Sequence, residues 1–124
     1  EYCEIKPMVN QLRLCPGLTQ KEVVDYCKTN EIQVEAYSPF GTGMIFKVPE
    51  MEMLAARYGK SVAQICLRWS LQMGWIPLPK SANPARMKEN TEVFDFELEP
   101  VDVEFITNLR GVCGEAPIPD KIRF

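Results

Sequence analysis

The chain alternates between short apolar runs and longer stretches whose apolar residues recur every three or four positions. "PMVNQ" (7–11) is an apolar run that closes on two amides, which predicts a short buried strand. In "LTQKEVVDYCKTN" (18–30), Val23, Val24 and Cys27 fall at helical spacing behind Thr19, the expected N-cap. "IQVEAYSPFGTG" (32–43) opens with alternating β-formers and breaks at Ser38-Pro39, so a second strand ends near Tyr37 and a loop follows. "PEMEMLAARYG" (49–59) and "SVAQICLRWSLQMG" (61–74) predict two helices, each stopped by a glycine, Gly59 and Gly74. Ser61 caps the second. Its stripe of Ala63, Cys66, Leu67, Ser70 and Leu71 is flanked by further apolar residues, Val62, Ile65 and Trp69. A helix apolar over that much of its circumference packs between a sheet and a neighbouring helix. "WIPLP" (75–79) predicts a third strand, and Asn83-Pro84 opens another helix with Asn83 as cap and Pro84 at its first position. "VFDFELEPVDVEFITNLRG" (93–111) adds an extended stretch and one more helix, followed by an irregular, proline-containing tail.

Strand, helix, strand, helix, strand, helix is the order that builds a parallel sheet with right-handed crossovers. At 124 residues, residues 1–124 make a single unit of the α/β class. Each expected strand turns polar at its C-terminal end: Asn10-Gln11, Tyr37-Ser38 and Lys80-Ser81. In parallel α/β folds these ends share one face, which carries the functional site.

Charge narrows the partners. A formal net charge of −3 and a pI of about 5.1 argue against a general nucleic-acid surface, which needs clustered base. No apolar run approaches the ~18 residues of a membrane span, and the start has no signal-peptide pattern. The five cysteines (3, 15, 27, 66 and 113) are scattered and no histidine accompanies them, so reduced thiols in a cytoplasmic protein are expected, with no metal site. The chain opens on Glu1 rather than methionine, which suggests a processed product or a fragment.

The segment "IPLPKSANPARMKEN" (76–90) concentrates the chemistry. A helix that starts at Asn83-Pro84 turns backbone N–H groups and a positive dipole end toward Lys80 and Ser81, with Arg86 one turn inside. That set suits a phosphate, onto which the guanidinium can fork, and Glu89 and Asn90 suit an exocyclic amine. Each residue alone fits an ordinary capped surface helix; the six together favour an anion site.

"LPKSANPARMKEN" is similar to the I/V-P-K-S-x-x-x-x-R-x-x-E-N signature of the aldo-keto reductases, NADPH-dependent enzymes on a (β/α)8 barrel. "KPMVNQ" resembles the sixth strand of that family, "AYSPFG" the seventh strand and its loop, and "FDFEL" the stretch after the eighth-strand helix. The resemblance covers nearly the whole chain and implies the C-terminal part of a (β/α)8 TIM barrel: three parallel βα units plus a C-terminal helix and tail. It implies that Gln11 bonds the nicotinamide carboxamide of NADPH and that Tyr37 stacks on the nicotinamide ring. Ser38, Phe40, Gly41 and Thr42 would run beside the pyrophosphate. Lys80, Ser81, Asn83 and Arg86 would hold the adenosine 2′-phosphate, and Glu89 and Asn90 would meet adenine.

Two departures stand out. Many members carry Glu-Cys-His-Pro after the sixth strand, whereas "RLCPG" places Cys15 at the histidine position. The loop "GTGMIFKVPE" (41–50) is short, as in compact bacterial members. The family's catalytic tyrosine, aspartate, lysine and histidine belong to the first half of the barrel, so the resemblance supplies no catalytic residue here. The expectation is a cofactor-binding part of a reductase of small aldehydes or ketones. It would be inactive alone and inclined to self-associate or to pair with the other half of the barrel. A non-catalytic nucleotide-sensing or partner-binding module on the same fold is the alternative.

Overall fold

The computed structural model describes residues 4–116; Cys3 and the proline-containing tail beyond Ala116 lie outside them. Three strands, β1 (Val9–Arg13), β2 (Gln33–Tyr37) and β3 (Ile76–Leu78), form a parallel sheet in the order β1-β2-β3. The helices are α1 (Lys21–Thr29), α2 (Pro49–Tyr58), α3 (Val62–Gln72), α4 (Pro84–Thr91) and α5 (Pro100–Asn108). The expected alternation of strand and helix therefore holds, and α2 inserts between the second strand and its crossover helix α3.

Local chemistry accounts for most boundaries. Gly59 closes α2 in the left-handed region at φ 62°, a conformation a side chain would strain. Ser61 caps α3 through a full capping box. Its hydroxyl accepts from the Gln64 N–H, and the Gln64 side chain accepts from the Ser61 N–H. Pro84 begins α4 behind Asn83, whose Oδ1 accepts from the N–H groups of Ala85 and Arg86.

Three sequence expectations are corrected. α1 is capped by Gln20 rather than Thr19; Gln20 takes φ 42° and its side chain donates back to the Arg13 carbonyl at 2.8 Å. β1 does not end at Asn10-Gln11. It continues to Arg13 because Leu12 and Arg13 stay paired with Ala36 and Tyr37 of β2, while the two amides bond elsewhere: Asn10 donates to Cys27 Sγ at 3.4 Å and Gln11 to Glu35 Oε2 at 3.0 Å. The loop after β2 is wound into 3₁₀ turns over Gly41–Lys47, kinked at Thr42 and Gly43.

The register Gln11↔Glu35↔Ile76 and Arg13↔Tyr37↔Leu78 sets the two faces of the sheet. One face carries Val34 and Ala36 into the core with Met51, Leu54, Ile65, Cys66, Trp69 and Ile106. Trp69 and Trp75 meet edge to face with ring centroids 5.2 Å apart, and the Trp69 indole donates to Thr107 Oγ1 at 3.0 Å. Ile65 and Trp69 are fully buried, as expected of a helix apolar on two sides. The other face, with Val9, Gln11, Glu35, Ile76 and Leu78, is left uncovered; Val9 is 50% exposed and Ile76 45%.

Candidate functional site

The C-terminal ends of β2 and β3 open onto one cavity of about 600 Å³. Lys80 and Ser81 enter it directly after β3, and Arg86, Glu89 and Asn90 follow from the exposed helix α4. Phe40 and Phe46 form an aromatic wall, their centroids 5.5 Å apart, and the first turn of α3 (Ser61, Val62 and Ala63) closes the far side. The cavity thus has two cations, an aromatic wall, two carboxylates (Glu52 and Glu89) and a primary amide. Such a set accommodates a phosphate at one end and a planar, hydrogen-bonding ring at the other.

The helix dipole contributes less than the sequence suggests. Pro84 has no N–H, Ala85 and Arg86 donate to Asn83 Oδ1, and the Met87 N–H donates to the Asn83 carbonyl. Ser81 Oγ accepts from the Asn83 N–H at 3.1 Å. The first turn of α4 is therefore saturated by its own cap, which leaves side chains rather than backbone N–H groups to meet any anion here. Asn83 is committed to that cap and is not part of the cavity wall.

The remaining expected residues lie along the rim. Tyr37 is the last residue of β2, half-buried, and shares its row with Arg13 and Leu78. Gln11 sits one row lower, on the uncovered face. Ser38 and Thr42 hold left-handed backbones (φ 51° and 54°), and the Gly41 N–H donates to the Ser38 carbonyl at 2.9 Å, folding the loop tightly over the end of β2. Thr42 is exposed, its hydroxyl on the Gly41 carbonyl at 2.7 Å.

Two groups were not singled out from sequence. Arg13 donates to the carbonyls of Cys113 and Glu115 at 2.9 and 2.5 Å, so it fastens the segment after α5 across the rim next to Tyr37. Gln64 donates to the carbonyls of Glu89 and Glu92, both at 3.1 Å. The S-x-x-Q spacing signals the capping box but not this second attachment.

Cys15, at the position of the family's histidine, is fully buried against Cys113 rather than facing the cavity. The hydrogen bond with Cys113, then burial, pushes the Cys15 thiol up, while the same bond lowers that of Cys113; burial raises Cys66. Among the described residues no group of histidine, cysteine, aspartate or glutamate is placed to hold a metal, and no helix is long and apolar enough to cross a membrane.

The aldo/keto reductase family model matches residues 2–110, from before β1 to the end of α5. The chain belongs to the aldo/keto reductase family. It is similar to the uncharacterized oxidoreductase YtbE of Bacillus subtilis, 48% identical over 98% of this chain and 43% of that protein. It is also similar to the glyoxal reductase of the same organism, 46% identical over 98% of the chain and 44% of the relative. The chain therefore spans less than half the length of these curated relatives. Among solved structures, the aldo/keto reductase from Brucella melitensis superimposes with a TM-score of 0.78 at 41% identity, covering 83% of this chain and 39% of that one. A Gox0644 mutant in complex with NADPH superimposes with a TM-score of 0.88 at 31% identity, covering 97% and 45%. The three-stranded sheet is thus part of an aldo/keto reductase barrel, and its open face and two edges are those of an unclosed barrel wall.

Proposed function

We propose that the cavity holds the adenosine end of NADPH, that the nicotinamide lies at the rim beside Gln11 and Tyr37, and that the whole protein reduces aldehydes or ketones. One observation carries the reading: Lys80 and Arg86 line the same 600 Å³ cavity as Glu89, Asn90 and the Phe40 ring. Two cations match the charge of a 2′-phosphate, and Ser81 adds a hydroxyl donor; NADH would leave both charges unmatched. Glu89 suits the exocyclic amine of adenine, and Phe40 lies against the base and the pyrophosphate. Asn83 would serve the phosphate indirectly, by capping the helix that presents Arg86. Ser38, Gly41 and Thr42 present the tight loop to the pyrophosphate. The NADPH complex of a structural neighbour supports the choice of cofactor.

NADPH supplies the hydride when bound. Gln11 orients the carboxamide by exchanging its bond to Glu35, and the Tyr37 ring supports the nicotinamide face. The tail segment pinned by Arg13 borders the substrate's approach. The proton donor we assign to the rest of the barrel, because Tyr37 and Lys80 are already engaged in binding. A cytoplasmic location agrees with the four free cysteines of the described residues.

Titration of the protein expressed from its complete reading frame with NADPH and NADH tests the assignment. Arg86→Ala should weaken NADPH about tenfold or more, since bonds between charged groups contribute about 1.5–3 kcal/mol, and leave NADH nearly unchanged. Equal losses would overturn the 2′-phosphate site.

A further inference from the structure

Resting on the NADPH reading, we infer that Ser61 and Gln64, at the start of α3, are positioning residues that aim the Glu89 carboxylate at the 6-amino group of adenine and so set the choice of nucleobase. Glu89 lies on an exposed helix with no buried side chain of its own, so α4 alone does not fix its terminal turn. The fixing comes from α3. The Ser61 hydroxyl accepts from the Gln64 N–H at 3.2 Å; its single proton is then free to point outward, and it donates to Glu89 Oε1. One carboxylate oxygen is thereby anchored and Oε2 is left to accept from a ligand.

Gln64, 6% exposed, completes the clamp. Its Oε1 takes the Ser61 N–H at 3.0 Å, and its two amide protons go to the carbonyls of Glu89 and Glu92. Every hydrogen-bonding group of that buried amide has a partner, which makes it a rigid brace rather than a surface contact. Ser61 itself lines the cavity beside Glu89 and Asn90, so the anchored carboxylate is held at the cavity wall. An acceptor fixed in this way binds a 6-amino purine and rejects a 6-oxo purine, whose carbonyl would oppose it unpaired.

The test compares dissociation constants of NADPH and of its hypoxanthine analogue, which carries an oxo group in place of the amine, for the protein expressed from its complete reading frame. Wild type should favour NADPH by about tenfold or more. Ser61→Ala also removes the helix cap. Ser61→Gly is therefore the decisive partner, because glycine at an N-cap costs little stability and has no hydroxyl to donate to Glu89. Both variants should bring the ratio close to one, and Ser61→Thr, which keeps the hydroxyl, should restore it. A merely structural role would weaken both nucleotides together, so an unchanged ratio in Ser61→Gly overturns the inference. Absence of NADPH binding in wild type would instead overturn the cofactor reading, and the clamp's role with it.

Discussion

Gly41 shows how one residue ties the loop after β2 to the segment after α5. Its φ of 53° is strained for any side chain, and a Cβ there would lie 2.6 Å from Cys113 Sγ and 2.9 Å from its Cα. Cys113 is buried and its carbonyl is held by Arg13, so the neighbour has little room to yield. Gly41→Ala should therefore cost roughly 1–3 kcal/mol from strain alone, read as a lower denaturation midpoint, and should push the Cys113–Glu115 segment off the rim. A variant as stable as wild type would show that the tail adapts to the loop rather than bracing it. Gly43, with φ 91° and open space around its Cβ, provides the contrast: alanine there meets only the backbone penalty.

Between elements, the junction of α2 and α5 carries a pH signature. The Tyr58 hydroxyl donates to Asp102 Oδ2 and accepts from the Glu99 N–H at 2.9 Å, while Arg57 pairs with the other Asp102 oxygen. Burial first, then the bond to Asp102, raise the Tyr58 phenol above its ordinary value of 10.0. A raised folded value means the stabilisation is complete below about pH 10 and is lost as pH climbs through the folded value. Thermal unfolding between about pH 9 and 11 should thus decline more steeply for wild type than for Tyr58→Phe, which removes the ionisation along with about 1 kcal/mol of hydrogen bonding. Parallel declines would show that the tyrosine titrates alike folded and unfolded. Elements of this kind were partly readable beforehand. Glycine stops, the Ser61 and Asn83 caps and the polar strand ends are local, and they placed the helices α2 to α4 and the segment Lys80–Asn90. The length of β1 and the Arg13 anchor were not readable, because each depends on a partner distant in sequence (Arg13 and Glu115 are 102 residues apart), and the α1 cap was not, because Gln20 is a residue type that gives little warning of a left-handed backbone. The 3₁₀ turns after Tyr37 rest on left-handed Ser38 and Thr42, residues whose types give little warning of that backbone.

At the scale of the molecule, the decisive feature is a parallel wall with one dressed face. Helices cover Val34 and Ala36, yet Val9, Ile76 and Leu78 stand on the opposite face, and among the described residues the outer edges of β1 and β3 pair with no further strand. Apolar surface and free strand edges on one side favour association. A polypeptide of these 124 residues alone should therefore sediment as dimers or larger species at micromolar concentration. It should also show no carbonyl reduction with NADPH if, as proposed, Tyr37 and Lys80 serve to bind the cofactor and the proton donor lies in the rest of the barrel. The two outcomes are separable. A monomer would mean that the sheet face is satisfied by some other packing. Turnover by a homogeneous 124-residue chain would mean that Tyr37 or Lys80 acts as the acid, and would return the catalytic centre to these three strands.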